Sequence, residues 1–217
     1  MSENLGFLTV IDQPTGSLTG GYLVLNRAGR PLEFHCTIPL TPDKIQQILY
    51  GNTLQPFLYG ERIAQTLVQR SKLPVLSILT DQVAVLPVQA LVSLPIIYVF
   101  KGLMKPEMGN VSITDVPNFP SVREISEELN ESLKAFGIDN AGFSTSSSSS
   151  EELPKMPHVP GFDTENWREV RIGNRLIAVP EAEEQLVSEI KGRARTIDMF
   201  EPFARIRLAL EEARGAA

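Results

Sequence analysis

Apolar and polar positions group along this chain into short strands and amphipathic helices. Residues 5–11 form an apolar run that predicts a first strand, and Tyr22-Leu23-Val24-Leu25 predicts a second. Between them, residues 12–21 place Pro14, Gly16, Gly20 and Gly21 among polar neighbours, which predicts a loop. Asn26-Arg27-Ala28-Gly29 reads as a tight turn into a third strand over 32–38, so the second and third strands form an antiparallel hairpin. In the third strand Leu32, Phe34 and Cys36 alternate with Glu33, His35 and Thr37, and the apolar set is expected to face the core.

Two helices are predicted next. Thr41 is the expected N-cap of the first, with Pro42 at its first position, Gly51 at its end and Ile45, Ile48 and Leu49 on one apolar face. The second, over 60–70, repeats that spacing at Ile63, Ala64 and Leu67. Residues 75–79 and 83–86 flank Thr80-Asp81-Gln82 and predict a further hairpin. Strands are expected over 95–100 and 111–114, then a helix over 121–136 with Ser121 and Glu124 at capping-box spacing and Gly137 at its end. Towards the C-terminus, 167–172 and 175–179 flank Gly173-Asn174, a two-residue hairpin signal. A helix over 181–191 and a last helix over 202–214 follow, the last carrying Phe203, Ile206 and Leu210 on one face.

This order of elements is not a βαβ alternation. It predicts an α+β fold, an antiparallel or mixed sheet with helices on one face, comparable to profilin-like and GAF-like domains by fold-level analogy only. Residues 144–150 are serine and threonine, and Pro154, Pro157 and Pro160 follow. Such a stretch buries too little apolar surface to offset its ordering entropy, so 144–164 is expected to be a flexible linker between an α+β domain over 1–143 and a small hairpin-helix module over 165–217. A module of that size has a marginal core by itself. Its Phe203/Ile206/Leu210 stripe should therefore be buried against residues 1–140 or against another chain.

The 42% of hydrophobic residues suits a globular core, and the net charge of −6 divides evenly between 1–150 and 151–217. The acidic balance argues against nucleic acid as the main partner. Cys36 is the one cysteine, which rules out an intrachain disulfide. The apolar stretch 83–100 is interrupted by Pro87, Gln89 and Pro95, so it is read as buried strands rather than a membrane span. With no signal-like N-terminus, the expected location is cytoplasmic, away from the membrane.

Chemistry-bearing motifs are scarce. His35 and Cys36 are adjacent on a predicted strand and point to opposite faces, so they cannot form a dyad. The expected roles are a buried, structural Cys36 and a surface His35. His158, the other histidine, lies in the predicted linker. Two histidines and one cysteine do not make a zinc site without carboxylates. The Thr15–Gly21 stretch lacks the lysine of a phosphate-binding P-loop. Lys191, Arg193 and Arg195 form a small basic patch with Glu189 and Asp198 nearby, a weak anion-contact signal. No catalytic, metal-ligating or cofactor-binding residue is assigned, and no cofactor is implied. Tyr50, Phe57 and Tyr59 between the two helices are expected to plug a core or, as the alternative, to anchor an interface, where aromatic side chains are favoured; with Phe203, Ile206 and Leu210 they are the candidate interface residues. The expected function is a non-catalytic protein-interaction or assembly module, whose partner is another protein chain or a second copy. The alternative is a small-molecule-binding regulatory sensor with a pocket between the sheet and the helices of 41–70.

Overall fold

The N-terminal apolar runs become the antiparallel strands β1 (Leu5–Asp12), β2 (Leu18–Leu25) and β3 (Pro31–Cys36) in the computed structural model, which describes residues 3–102, 154–181 and 183–215. β4 (Ser77–Thr80) lies parallel beside β1, and β5 (Ile96–Val99) parallel beside β4. The predicted C-terminal hairpin forms as β6 (Trp167–Ile172) and β7 (Arg175–Pro180), with β7 antiparallel to β5. The result is one seven-stranded mixed sheet in the order β3-β2-β1-β4-β5-β7-β6. The α+β class with a mixed sheet holds.

Helices cover both faces of the sheet, not one. Leu8, Val10, Tyr22, Val24, Ile78 and Ile96 pack on one side against Leu58, Ile63 and Leu67 and against residues 83–88. Leu5, Phe7, Leu23, Leu25, Leu79, Ile97 and Val99 pack on the other against α4 (Glu184–Arg193) and α5 (Glu201–Gly215). A strand covered on both faces reads as an unbroken apolar run, which is why β5, Ile96-Ile97-Tyr98-Val99, shows no alternation. β2 passes between both layers. A Cβ on Gly20 would run into Ile63, and one on Gly21 into Ile206. The two glycines expected in a loop are therefore strand residues that admit a helix on each side.

Several expectations are corrected. The hairpin around Thr80-Asp81-Gln82 does not form: β4 pairs in parallel with β1, and residues 83–90 coil into a 3-10 helix containing Pro87. A short apolar run carries no periodicity that separates a buried strand from a buried helix. Asp43, not Thr41, caps α1 (Lys44–Tyr50), with a reciprocal capping box to Gln46. The second helical segment starts earlier than residue 60: α2 (Leu54–Pro56) runs through a π-helical stretch over 57–64 into α3 (Gln65–Arg70). Ile45, Ile48 and Leu49, the predicted core face of α1, are exposed. The expected strand over 111–114, the helix over 121–136 and the linker residues 144–153 lie outside the described residues. Within 154–164, Val159 is buried in the core and Phe162 meets Trp167 edge to face at 6.2 Å.

β3 is inverted relative to expectation. It is an edge strand, and its Leu32/Phe34/Cys36 face is exposed while Glu33 and His35 are half-buried. The cause is polar. Glu33 accepts hydrogen bonds from the Ser71 hydroxyl at 2.9 Å and from the backbone N–H groups of Lys72 and Leu73, and His35 Nε2 lies 2.6 Å from it. The carboxylate thereby ties the end of α3 to the sheet. Burial works to raise its pKa, but the bonds from His35, Ser71, Lys72 and Leu73 prevail and hold it down to about 2. A depressed carboxyl pKa contributes stability that is present above the ordinary carboxylate range and lost as pH falls towards the folded value. Wild-type stability should thus fall between about pH 4.5 and 2, and Glu33→Gln should flatten that limb. Because water at the sheet edge screens the pair, the expected cost of Glu33→Gln at neutral pH is about 1–2 kcal/mol by urea denaturation. An unchanged acid limb in the variant would rule out the latch.

Candidate functional site

One edge of the sheet collects the polar groups. Parallel strands β1, β4 and β5 all end there, the place where open α/β sheets bring side chains from different strands together. Asp12 ends β1 and Asp81 follows β4. β7 runs the other way, so its first residue, Arg175, reaches the same edge and donates from Nη1 to the Gly102 carbonyl beyond β5 at 3.1 Å.

Asp81 is fully buried. Its carboxylate accepts a 2.7 Å hydrogen bond from Thr9 Oγ1 on β1 and pairs closely with Arg207 Nη2 on α5, which also donates to Thr9 Oγ1 at 3.2 Å. The cluster joins β1, the end of β4 and the last helix. Burial pushes the nearby Tyr98 phenol up, and the Asp81 charge adds to that. A lone carboxylate neutralised by a guanidinium is a poor cation ligand, and among the described residues no group of three His, Cys, Asp or Glu side chains is placed to hold a metal.

The second feature is basic. The Gly173-Asn174 turn, the end of α4 and the following loop enclose a groove of about 570 Å³ lined by Arg171, Arg175, Lys191 and Arg195, with Asp198 as its acid. The hairpin positions the first two cations. Arg171 Nε donates to the Gly173 carbonyl at 3.2 Å, and Arg175 lies over the Phe200 ring at 5.0 Å and 3.4 Å from Asp198. These contacts fix the two guanidinium planes. Lys191 and Arg195 are exposed on the opposite wall. Basic residues at a helix C-terminus also complement the macrodipole, which accounts for Lys191 and Arg193 in the last turn of α4 but not for the hairpin arginines opposite.

The residues singled out from sequence distribute as follows. Phe203, Ile206 and Leu210 are buried inside this chain, packed with Phe7 and Leu23, so of the two burial partners weighed above the structure selects residues 1–140. Tyr50 stacks on Phe57 at 4.3 Å and is partly exposed, whereas Tyr59 is buried. An open groove of about 450 Å³ lies beside them, lined by Asp12, Asn52, Gln55 and Tyr59 among others. Burial raises the Tyr59 pKa, Gln55 opposes through a hydrogen bond and Asp12 adds to the rise. Cys36 is exposed rather than a core residue. Sequence reasoning missed Thr9, Asp81 and Arg207, which carry no local signal. It found the Lys191/Arg193/Arg195 patch, though not the hairpin arginines that complete the groove. The alternation of Arg171 and Arg175 around a Gly-Asn turn was the available clue.

No helix among the described residues is long and apolar enough to cross a membrane. No family model and no curated protein matches this chain. Two solved structures share part of its course. One is endonuclease V from Ciona intestinalis in complex with a 24mer DNA containing an inosine followed by a ribo-adenosine: 12% identity, TM-score 0.44, covering 97% of this chain and 87% of that one. The other is its D234N form with a 23mer DNA: 11% identity, TM-score 0.41, covering 97% and 86%. These neighbours are DNA complexes of a nuclease, and so run against the expected non-catalytic module and the expected absence of a nucleic-acid partner. At this identity and TM-score the likeness assigns no residue of this chain a role.

Proposed function

We propose that this protein binds the backbone phosphates of a nucleic acid strand in the groove between the β6–β7 turn and the end of α4. One observation carries the reading: four cations and one acid line a single concavity in a chain whose net charge is −6. The overall acidity that argued against nucleic acid is a property of the whole chain, and a phosphate responds to the charges within about 10 Å at moderate salt. Three of the four cations are arginines, whose planar forks match phosphate oxygens in pairs. Two of these, Arg171 and Arg175, are held by their own turn and by Phe200, so little rotamer entropy is lost on binding.

The test is fluorescence anisotropy of a labelled single-stranded oligonucleotide against the full chain over a range of salt. Binding should weaken linearly in log affinity with log salt, with a slope of about −0.7 for each phosphate neutralised. The double variant Lys191→Glu/Arg195→Glu replaces two exposed side chains and should abolish binding while leaving the thermal melt unchanged. Wild-type protein that shows no binding at low salt, or a double variant that binds as tightly as wild type, would refute the reading.

A further inference from the structure

We infer that the groove is one half of a longer track, so that the ligand is a strand presenting at least two phosphates and not a lone phosphate group; this rests on the nucleic-acid reading above. A second concavity of about 370 Å³ lies between β6 and α4, lined by Arg168, Glu184, Ser188 and Lys191 with Val170 and Val187. Lys191 lines both concavities, so they adjoin along the helix. Glu184, Ser188 and Lys191 follow one another at i, i+4 and i+7 on one stripe of α4. On this face of the sheet β6 supplies Arg168 to one concavity, and β7 supplies Arg175, which pairs with Ile172, to the other. Four strand positions, from Arg168 to Ile172 opposite Arg175, separate them, a distance of about 13 Å along the sheet. Two cationic stations at that spacing, bridged by a shared lysine, suit a chain of phosphates.

A second observation is that the Arg168 guanidinium is incompletely paired. Arg168 Nε is buried and, among the described residues, has no hydrogen-bond acceptor. A buried guanidinium N–H without an acceptor forfeits a hydrogen bond it would make in water. Its acidic partner Glu184 lies 3.6 Å from Nη1 and is largely exposed, so that pair opens at little cost. A phosphate oxygen entering between Arg168, Ser188 and Lys191 meets a guanidinium, a hydroxyl and an ammonium together. Glu184 opposes its entry.

Anisotropy with single-stranded oligonucleotides of two and twelve nucleotides separates the track from the single groove. The longer strand should bind more tightly and with a steeper salt slope. Arg168→Ala should weaken the twelve-nucleotide strand about tenfold, reduce its slope by about 0.7, and leave the dinucleotide unchanged. Glu184→Gln should strengthen the longer strand. Circular dichroism melts of the variants show that each is folded. If Arg168→Ala binds the longer strand like wild type while Lys191→Glu/Arg195→Glu abolishes binding, the track is refuted and the groove stands. If wild type binds neither strand, the nucleic-acid reading falls and the track with it.

Discussion

Arg207→Met should destabilise the protein by about 3–5 kcal/mol, among the largest effects of any single substitution that leaves the apolar core untouched. The reason is the fully buried Asp81 carboxylate, whose remaining partner would be the Thr9 hydroxyl. An ion removed from water and deprived of its counter-charge keeps its desolvation cost and loses the attraction that offsets it. Arg207 itself has about a third of its side chain exposed, so the reverse deletion, Asp81→Asn, leaves a cation that water can reach and should cost less. Replacing both partners, Asp81→Leu with Arg207→Met, should recover part of the loss, and a double-mutant cycle by urea denaturation would give the coupling directly. A cost below about 1 kcal/mol for Arg207→Met would show that the pair does not anchor the last helix.

Phe203→Ala should cost about 3–5 kcal/mol, the usual range for deleting a buried aromatic. Phe203 is fully buried and meets Phe7 edge to face at 5.6 Å and Phe200 at 5.7 Å. It is the point where α5 enters the core shared with β1. Removing the ring leaves a cavity between the helix and a strand at the centre of the sheet, where neither can shift to close it. Because α5 packs against β1 and β2, the loss should appear as a lower melting temperature of the whole protein, by roughly 10 °C. A separate early transition, with the main melt unchanged, would mean that α5 unfolds independently of the sheet.

The two predictions bear on the proposed binding surface through the same helix. The loop before α5 carries Asp198 and Phe200, which hold Arg175 in the groove. A displaced α5 therefore disturbs one wall of the groove, and variants of Phe203 or Arg207 need a folding control before any change in ligand binding is assigned to the groove itself.

Local features were legible wherever a short stretch of chain contained its own cause. The Gly173-Asn174 turn between two apolar runs determined the β6–β7 hairpin, because a two-residue turn with positive φ matches strand twist. The spacing of Phe203, Ile206 and Leu210 determined the buried face of the last helix. The tight turn after Leu25 determined the β2–β3 pairing. Tertiary structure decided the rest. Nothing in residues 75–86 distinguishes a hairpin from a strand that runs parallel to β1, since that choice depends on a partner some 70 residues away. The inward face of β3 was chosen by the hydrogen bonds of Glu33 with Ser71, Lys72 and Leu73, which outweigh the usual preference of leucine and phenylalanine for the core at an edge strand. Asp81 and Arg207 lie 126 positions apart, and the groove joins Arg171 and Arg175 to Lys191 and Arg195 across a helix. Charges brought together by the fold leave no periodicity in the chain, because electrostatic attraction depends on distance in space, whereas sequence patterns record only the repeat of a single strand or helix.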